Sequence, residues 1–591
     1  MTRLLSRLAA LPAFVVVLVT MALVLVPIGV GIFMSLRSAP IGVQGEFTLD
    51  NYAGVLTNSQ AGPLILNTAI MTVTAAGGGT ILGLLLAWII TQTDVPGARY
   101  LYFLPMAPTL LPGLLKTVGW ITLYSPRSGL VNFSFQEMFG FSDPVADIYS
   151  LPGLIVVLML AVTPITYFLM LGPAASMGRS LEEASRIAGA GRLQTLVRIG
   201  IPSILPAVLS AVAIAAITVA SAFEAPVMIG RPAGIHTYMS TIYRSVAGPG
   251  RQDYNLAAAY AALYLVLMIG LLLMYMRATR SERRFAVITG SGYSRARTRM
   301  GKWRWALLAV VLLYFWFSFG QLLLANIMVS ILPFYTVSSG NPFETFSLSN
   351  WENAFAISSV GRGITTSLSV GLLAAISTVL AGSLIVWISL KTRMRFRRGL
   401  ELVATLPVAL PSVVFGMFVL TTILFVPGLV TFYVSPIPMV IALTVAFLPY
   451  SVRILSGALI QVHDDLIDSA RISGAGQARG AVTIAAPLVR VALFSAFIYI
   501  FANAFRELGS IVLLVPPNMT LLPTLIFVQW EQGQNFGLVA ALNVTSFLMS
   551  SGLLAVGAVV VWFGARWRRV RAETELVPVP SPPIPGTNRG V

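Results

Sequence analysis

Cysteine is absent from this 591-residue chain. That excludes disulfides, zinc–thiolate sites and iron–sulfur clusters. His236 and His463 are the only two histidines, too few for a histidine-rich metal centre. No cluster of Asp, Glu and Tyr stands at ligand spacing, so no resident metal and no bound cofactor are expected. Charged residues make up 10% of the chain, against about 25% in a soluble domain, which excludes a water-soluble fold. Strict apolar/polar alternation is also missing, which argues against a strand-built pore. No Gly-x-x-x-x-Gly-Lys-Ser/Thr loop occurs; Gly301-Lys302 lacks both the first glycine and the hydroxyl. The chain therefore supplies no nucleotide site of its own and is not expected to be an enzyme.

What the chain does have is apolar runs. Hydrophobic residues reach 57%, and a helix needs about 20 of them to cross a bilayer. Twelve runs qualify: 12–34, 65–92, 101–124, 151–175, 204–229 and 255–276, then 305–333, 366–390, 400–426, 434–460, 489–515 and 538–565. The fold class expected is an all-α polytopic membrane protein. With the N-terminus inside, 30 of the 38 Lys and Arg fall on inner segments and six on outer loops. That bias puts both termini in the cytoplasm. Three of the six outer arginines, Arg231, Arg244 and Arg251, share one loop. The net charge of +17 fits loops facing anionic lipid rather than nucleic acid.

The chain is two copies of one unit. Phe47-Thr-Leu-Asp-Asn-Tyr52 matches Phe346-Ser-Leu-Ser-Asn-Trp351, and the same offset carries Trp88 onto Trp387 and Thr93 onto Thr392. Further on, Glu183-Ala-Ser-Arg-Ile-Ala-Gly-Ala-Gly191 matches Asp468-Ser-Ala-Arg-Ile-Ser-Gly-Ala-Gly476. Six spans per unit make the repeats parallel, with a pathway expected between them. The division is 1–276 for the first unit, 277–304 for a basic cytoplasmic linker, 305–570 for the second unit and 571–591 for a Pro-rich tail.

Two inner loops, 176–203 and 461–488, carry the matched segment. Ser180 with Glu183 forms a capping box, and Asp465 with Asp468 takes the same places in the second copy. Ala184, Ser185 and Ala188, like Ser469, Ala470 and Ser473, give each short helix a low face that a partner can approach. Gly189 and Gly474 stop the helices, and Pro202 and Pro487 open the segments that follow. Tidy connectors copied by duplication would look the same.

This pattern (acid, two small residues, a glycine, then Ile and Pro) resembles the signature loop of permease subunits of ATP-binding cassette importers. Asp468 stands where the family has Glu, and neither copy has the full Glu-Ala-Ala triplet. The resemblance implies a type I importer permease fold and a helix that seats on a cytoplasmic ATPase. In this sequence those coupling residues are Glu183, Ala184, Ser185, Gly189 and Pro202, then Asp468, Ser469, Ala470, Gly474 and Pro487. Two loops imply two copies of the ATPase. The fusion of two units resembles the ferric-iron importer permeases, and also the thiamine permease. Leu104-Pro105-Met-Ala-Pro108 and Leu406-Pro407-Val-Ala-Leu-Pro411 carry that likeness, as do the stretches from Phe223 to Pro232 and from Phe505 to Leu514. It implies a bacterial inner-membrane location and an extracytoplasmic binding protein that delivers the cargo. Thiamine, a polyamine or a phosphonate are alternative cargoes, and an ion-coupled secondary transporter is the alternative class.

Charges near spans mark a water-filled route or snorkel to the surface. Glu224, Arg506 and Glu507 are the candidates for the path; two interfacial carboxylates facing outer water would look alike. Lys116 suits either a pathway residue or a snorkelling one, the latter being favoured. The prolines of the third spans suit either a kink around a cavity or packing. Gly77, Gly78, Gly79 and Gly83 suit close helix crossings. Outer loops 35–64, 231–254 and 335–363 are candidates to dock the binding protein.

Overall fold

Long apolar runs satisfy their backbone groups internally, so helix is the conformation a bilayer allows them. The computed structural model describes residues 2–176, 185, 187, 189–191, 194, 198, 200–248, 252–282, 297–332, 346–392, 394, 396–472, 477–533 and 535–575. Among them, ten helices are long and apolar enough to cross a membrane, or up to twelve if each of two bent pairs is one span. No strand occurs among the described residues, only two isolated bridges.

The third spans depart from the sequence expectation. Ala98–Leu110 and Gly113–Tyr124 meet at 91°, and Arg397–Ala409 and Ser412–Phe425 meet at 110°. The cause is proline. Pro112 (ψ 148°) and Pro411 (ψ 137°) immediately precede the second helix of each pair, and the residues before them, Leu111 and Leu410, are extended. A residue before proline is pushed out of the helical region, so the run breaks there.

The fifth spans are shorter than expected. Their helices end at Ala220 and Arg506 rather than near 229 and 515. Both ends lie deep. The Tyr264 hydroxyl donates to Ala220 O at 2.6 Å, and Tyr264 stands ten residues into helix Tyr254–Glu282, about 15 Å from its start. A Cβ on Gly371 would lie 3.3 Å from Phe505 N, and Gly371 is near the middle of helix Ser358–Lys391. The chain therefore turns back halfway through the bundle. It returns through two short helices, Tyr238–Ala247 and Leu522–Glu531.

The halves repeat in detail. Asn51 donates to Ser35 O and Arg37 O, and Asn350 donates to Ser330 O and Leu332 O. Tyr238 N–H donates to Thr68 Oγ1, and Leu522 N–H to Ser367 Oγ, at matching places. Gly83 crosses the backbone of Thr166 and Tyr167, where a Cβ would lie 2.6 Å from Tyr167 N; Gly382 crosses Ser451 in the same way. Gly78 and Gly79 meet Met159 and Val162, whereas Gly77 has open space.

The halves are also interlocked. The first span of each packs on the bent third span of the other: Thr2–Ser35 on Ser412–Phe425, and Gln321–Ser330 on Gly113–Tyr124. Asn326 donates to Leu115 O at 3.1 Å, and the Arg37 guanidinium lies 5.3 Å from the Phe425 ring centre. One face carries most of the basic residues. There Thr298 pairs with Gln92 and Asp94, and Met300 N–H donates to Asp94 Oδ1, which ties the segment before helix Trp303–Phe315 to the end of helix Ala61–Gln92.

Candidate functional site

Two breaks and two helix ends converge at mid-depth between the halves. Glu224 lies against Gly113, the first residue of the half-helix after the first break; a Cβ there would sit 2.8 Å from Glu224 Oε1. In the second half Ser412 holds the same place and its hydroxyl donates to Glu507. Ser510 adds its N–H, 3.4 Å from Glu507 Oε1. Each carboxylate thus faces the N-terminus of a half-helix, where unpaired N–H groups favour negative charge.

Arg506 joins the halves. Its guanidinium donates to Leu110 O at 2.6 Å and Thr109 O at 2.8 Å, on the carbonyls that the first break leaves without helical partners. Asn503 Oδ1 accepts a third bond at 2.7 Å. Lys116 stands one turn beyond the break and feels the charges of Arg506 and Glu224. It is too deep to snorkel, which corrects the sequence reading: one turn carries it only about 5 Å from the midpoint. No hydrogen bond to its ammonium forms among the described residues. All four side chains are half-buried. The structure thus brings Glu224, Arg506 and Glu507 together, away from the interface where they would be snorkelling residues, and adds Lys116.

The loops on the basic face are described in part. Glu183, Ala184 and Gly474 lie outside the described residues, as do Ser180 and the side chain of Ala470. Ser185 is buried, and Ala190 N–H donates to Ser185 O across Gly189, which has φ +83°. Only glycine takes that conformation readily. The second helix, Asp464–Ile472, begins two residues earlier than a cap at Asp465 would give, so Asp465 sits inside its first turn. Asp468 and Ser469 are exposed on it. Lys391 grips its start, donating to Asp464 Oδ1 at 2.6 Å and Val462 O at 2.7 Å. The contact holds the Asp464 carboxyl below its usual range. Pro202 and Pro487 are the second residues of helices Ile201–Ala220 and Ala486–Arg506. A π turn, Ala481–Ala485, runs directly into the latter, so Pro487 continues a helical run rather than opening one. The wider turn accommodates a ring that would clash with the carbonyl four residues back. Two residues the sequence reading quoted without singling out also emerge. Ile187 and Ile472, at matching places, are each 88% exposed.

The model for the binding-protein-dependent transport system inner membrane component matches twice, over residues 79–287 and 378–569. The chain belongs to this family. Its members are membrane components of transport systems, and the double match agrees with two parallel permease units of the type I importer kind. The ferric transport system permease protein FbpB of Actinobacillus pleuropneumoniae is 26% identical over 465 residues, covering 77% of this chain and 65% of that protein, just under two thirds of its length. The putative 2-aminoethylphosphonate transport system permease protein PhnU of Salmonella typhi is 25% identical over 238 residues, covering 40% of this chain and 81% of that one. Among solved structures, a bacterial alginate ABC transporter in complex with an alginate pentasaccharide-bound periplasmic protein is 21% identical, with a TM-score of 0.39 over 50% of this chain and 99% of that chain. Arg231, which the sequence left open as a partner contact or a solvated charge, pairs with Glu531 at 3.0 Å. Arg251 and residues 333–345 lie outside the described residues.

Proposed function

We propose that this chain is the translocation subunit of an ATP-driven importer in a bacterial inner membrane and that its cargo is ferric iron. The observation that carries the reading is the paired mid-depth break, where each half sets one glutamate against the first residue of a half-helix. Carboxylates offer the hard oxygen donors that Fe³⁺ prefers, and the relatives of two-unit length are ferric permeases by name. Two copies of a cytoplasmic ATPase seat on the two signature loops, with Glu183 to Gly189 and Asp468 to Gly474 as the contact residues. An extracytoplasmic binding protein delivers the cargo. Residues 1–276 and 305–570 act as the two permease units, joined by 277–304, with both termini in the cytoplasm. The path is lined by Glu224, Arg506 and Glu507.

A phosphonate is the second reading. The half-buried Lys116 ammonium, without a hydrogen-bond partner among the described residues, favours it, as does the likeness to a permease named for 2-aminoethylphosphonate. Membrane vesicles loaded with ATP and given radiolabelled iron on the cognate binding protein test both readings. ATP-dependent iron uptake that falls sharply in Glu224→Gln and Glu507→Gln is expected. Iron left outside while labelled phosphonate enters would replace the first reading with the second. Uptake without any ATPase would overturn the class.

A further inference from the structure

The two short return helices face each other across the local axis that relates the halves. Matching their capping residues, Thr237 and Ser240 with Leu521 and Thr524, pairs Tyr243 with Phe527. These two rings touch: their centroids are 5.7 Å apart at 83°. A path between two related halves runs along that axis, so the ring pair stands in it. Phe223 closes the group, 5.3 Å from Tyr243 and 5.9 Å from Phe527. It is also the residue immediately before Glu224, which places the rings directly above the mid-depth charges. Phe223, Tyr243 and Phe527 are all buried, and Trp530 packs on Phe527 from the outer side.

Above the rings lies an ion pair between the halves. Arg231 Nη1 donates to Glu531 Oε1 at 3.0 Å, and the Tyr243 hydroxyl reaches Glu531 Oε2 at 3.4 Å. The two charged side chains are about one third exposed, at 34% and 29%. Such a pair contributes little to stability in water. Its place joins two segments 300 residues apart beside the Tyr243–Phe527 ring contact.

We propose that Phe223, Tyr243 and Phe527 form the closed outer gate of the path, and that Arg231–Glu531 is the latch holding it shut until the binding protein arrives. The proposal rests on the importer reading. Apolar rings exclude water and ions from the carboxylates below. The latch is weak enough to open at low cost, and Tyr243 belongs to both parts, so breaking the ion pair frees a ring of the plug. The sequence separation hid this pairing from charge counting, which placed Arg231 only in an outer loop.

The absence of cysteine makes the test clean, because every thiol is an introduced one. The pair Arg231→Cys with Glu531→Cys is treated in resting membranes with a short, cleavable bifunctional thiol reagent. Cross-linking within the chain, loss of uptake and its recovery on cleavage are expected, with each single variant unaffected by the reagent. Separately, Glu531→Gln and Phe527→Ala are expected to raise ATP hydrolysis several-fold in the absence of binding protein, with Arg231→Lys close to wild type. No cross-link, uptake that survives the tether, or hydrolysis unchanged in both variants would each overturn the gate. Cross-linking needs no ATPase, so it reports on the gate even if uptake proves independent of ATP, the result that would sink the importer reading instead.

Discussion

The two halves share a backbone plan at mid-depth and differ in where they put positive charge. The first half has Lys116 on its bent third span, where the second half has Phe415. The second half has Arg506 at the end of its fifth helix, where the first has Phe223. Each half thus contributes one carboxylate and one cation, but the cations come from different helices. Their surroundings differ too. Arg506 is fixed by three acceptors and Glu507 by Ser412 and Ser510, whereas Glu224 meets a bare Gly113 and Lys116 has no hydrogen bond among the described residues. The second half supplies a rigid, satisfied side to the proposed path. The first supplies an open one. The shared geometry repeats between the halves, and the residues set on it do not.

That comparison can be broken from its foundations upward. The largest effect is expected where the halves are alike: Gly83→Leu and Gly382→Leu drive a side chain into the opposing helix, and overpacking costs about 1–3 kcal/mol or more. Both variants should lose folded protein on detergent-solubilised gel filtration, while Gly77→Leu, with open space, should not. Next comes Arg506→Ala, which strands the carbonyls of Thr109 and Leu110 at the contact between halves. Uptake should fall by about tenfold or more, equivalent to about 1.4 kcal/mol in the barrier, with folded yield largely kept.

Lys116→Gln sharpens the contrast between the open and fixed sides. Because Lys116 holds no partner in place, it should shift the uptake ratio of cationic to anionic cargo by severalfold without changing thermal stability. Arg506→Gln should lower both cargoes together. The smallest effect is expected at the exposed Lys391–Asp464 contact. The Asp464 carboxyl is held below its ordinary value by Lys391, so its contribution is complete above the unfolded value and is lost as pH falls through the lowered one. Asp464→Asn should therefore change coupling slightly at neutral pH and not at all in strong acid, read as protease sensitivity of the loop between pH 7 and 3.

Much of this was legible in the residues. The duplicated Phe47–Tyr52 and Glu183–Gly191 segments announced two parallel units, and hydropathy located the spans. The same signal missed the breaks, because a hydropathy window counts apolar residues on both sides of Pro112 and Pro411 as one run. It missed the early ends of the fifth helices for the same reason, since 221–229 and 507–515 are apolar although they fold back. Lys116 was misread for another reason: even a straight span over 101–124 puts it only about 5 Å from the middle, and the reading weighed its charge without its depth. The contacts of Arg506 with Thr109 and of Arg231 with Glu531 join residues hundreds of positions apart, and no local pattern encodes them. Proline spacing near the centre of a span was the one signal that could have suggested the bends.

The swapped packing of the first spans has a consequence for assembly. Each half grips the other through a helix inserted against its bent third span, so packing holds the halves together as well as the chain that joins them. Nicking the polypeptide there should leave two fragments that stay clasped and still work as one body. The same clasp would let two separately made chains of half this length find each other without any tether.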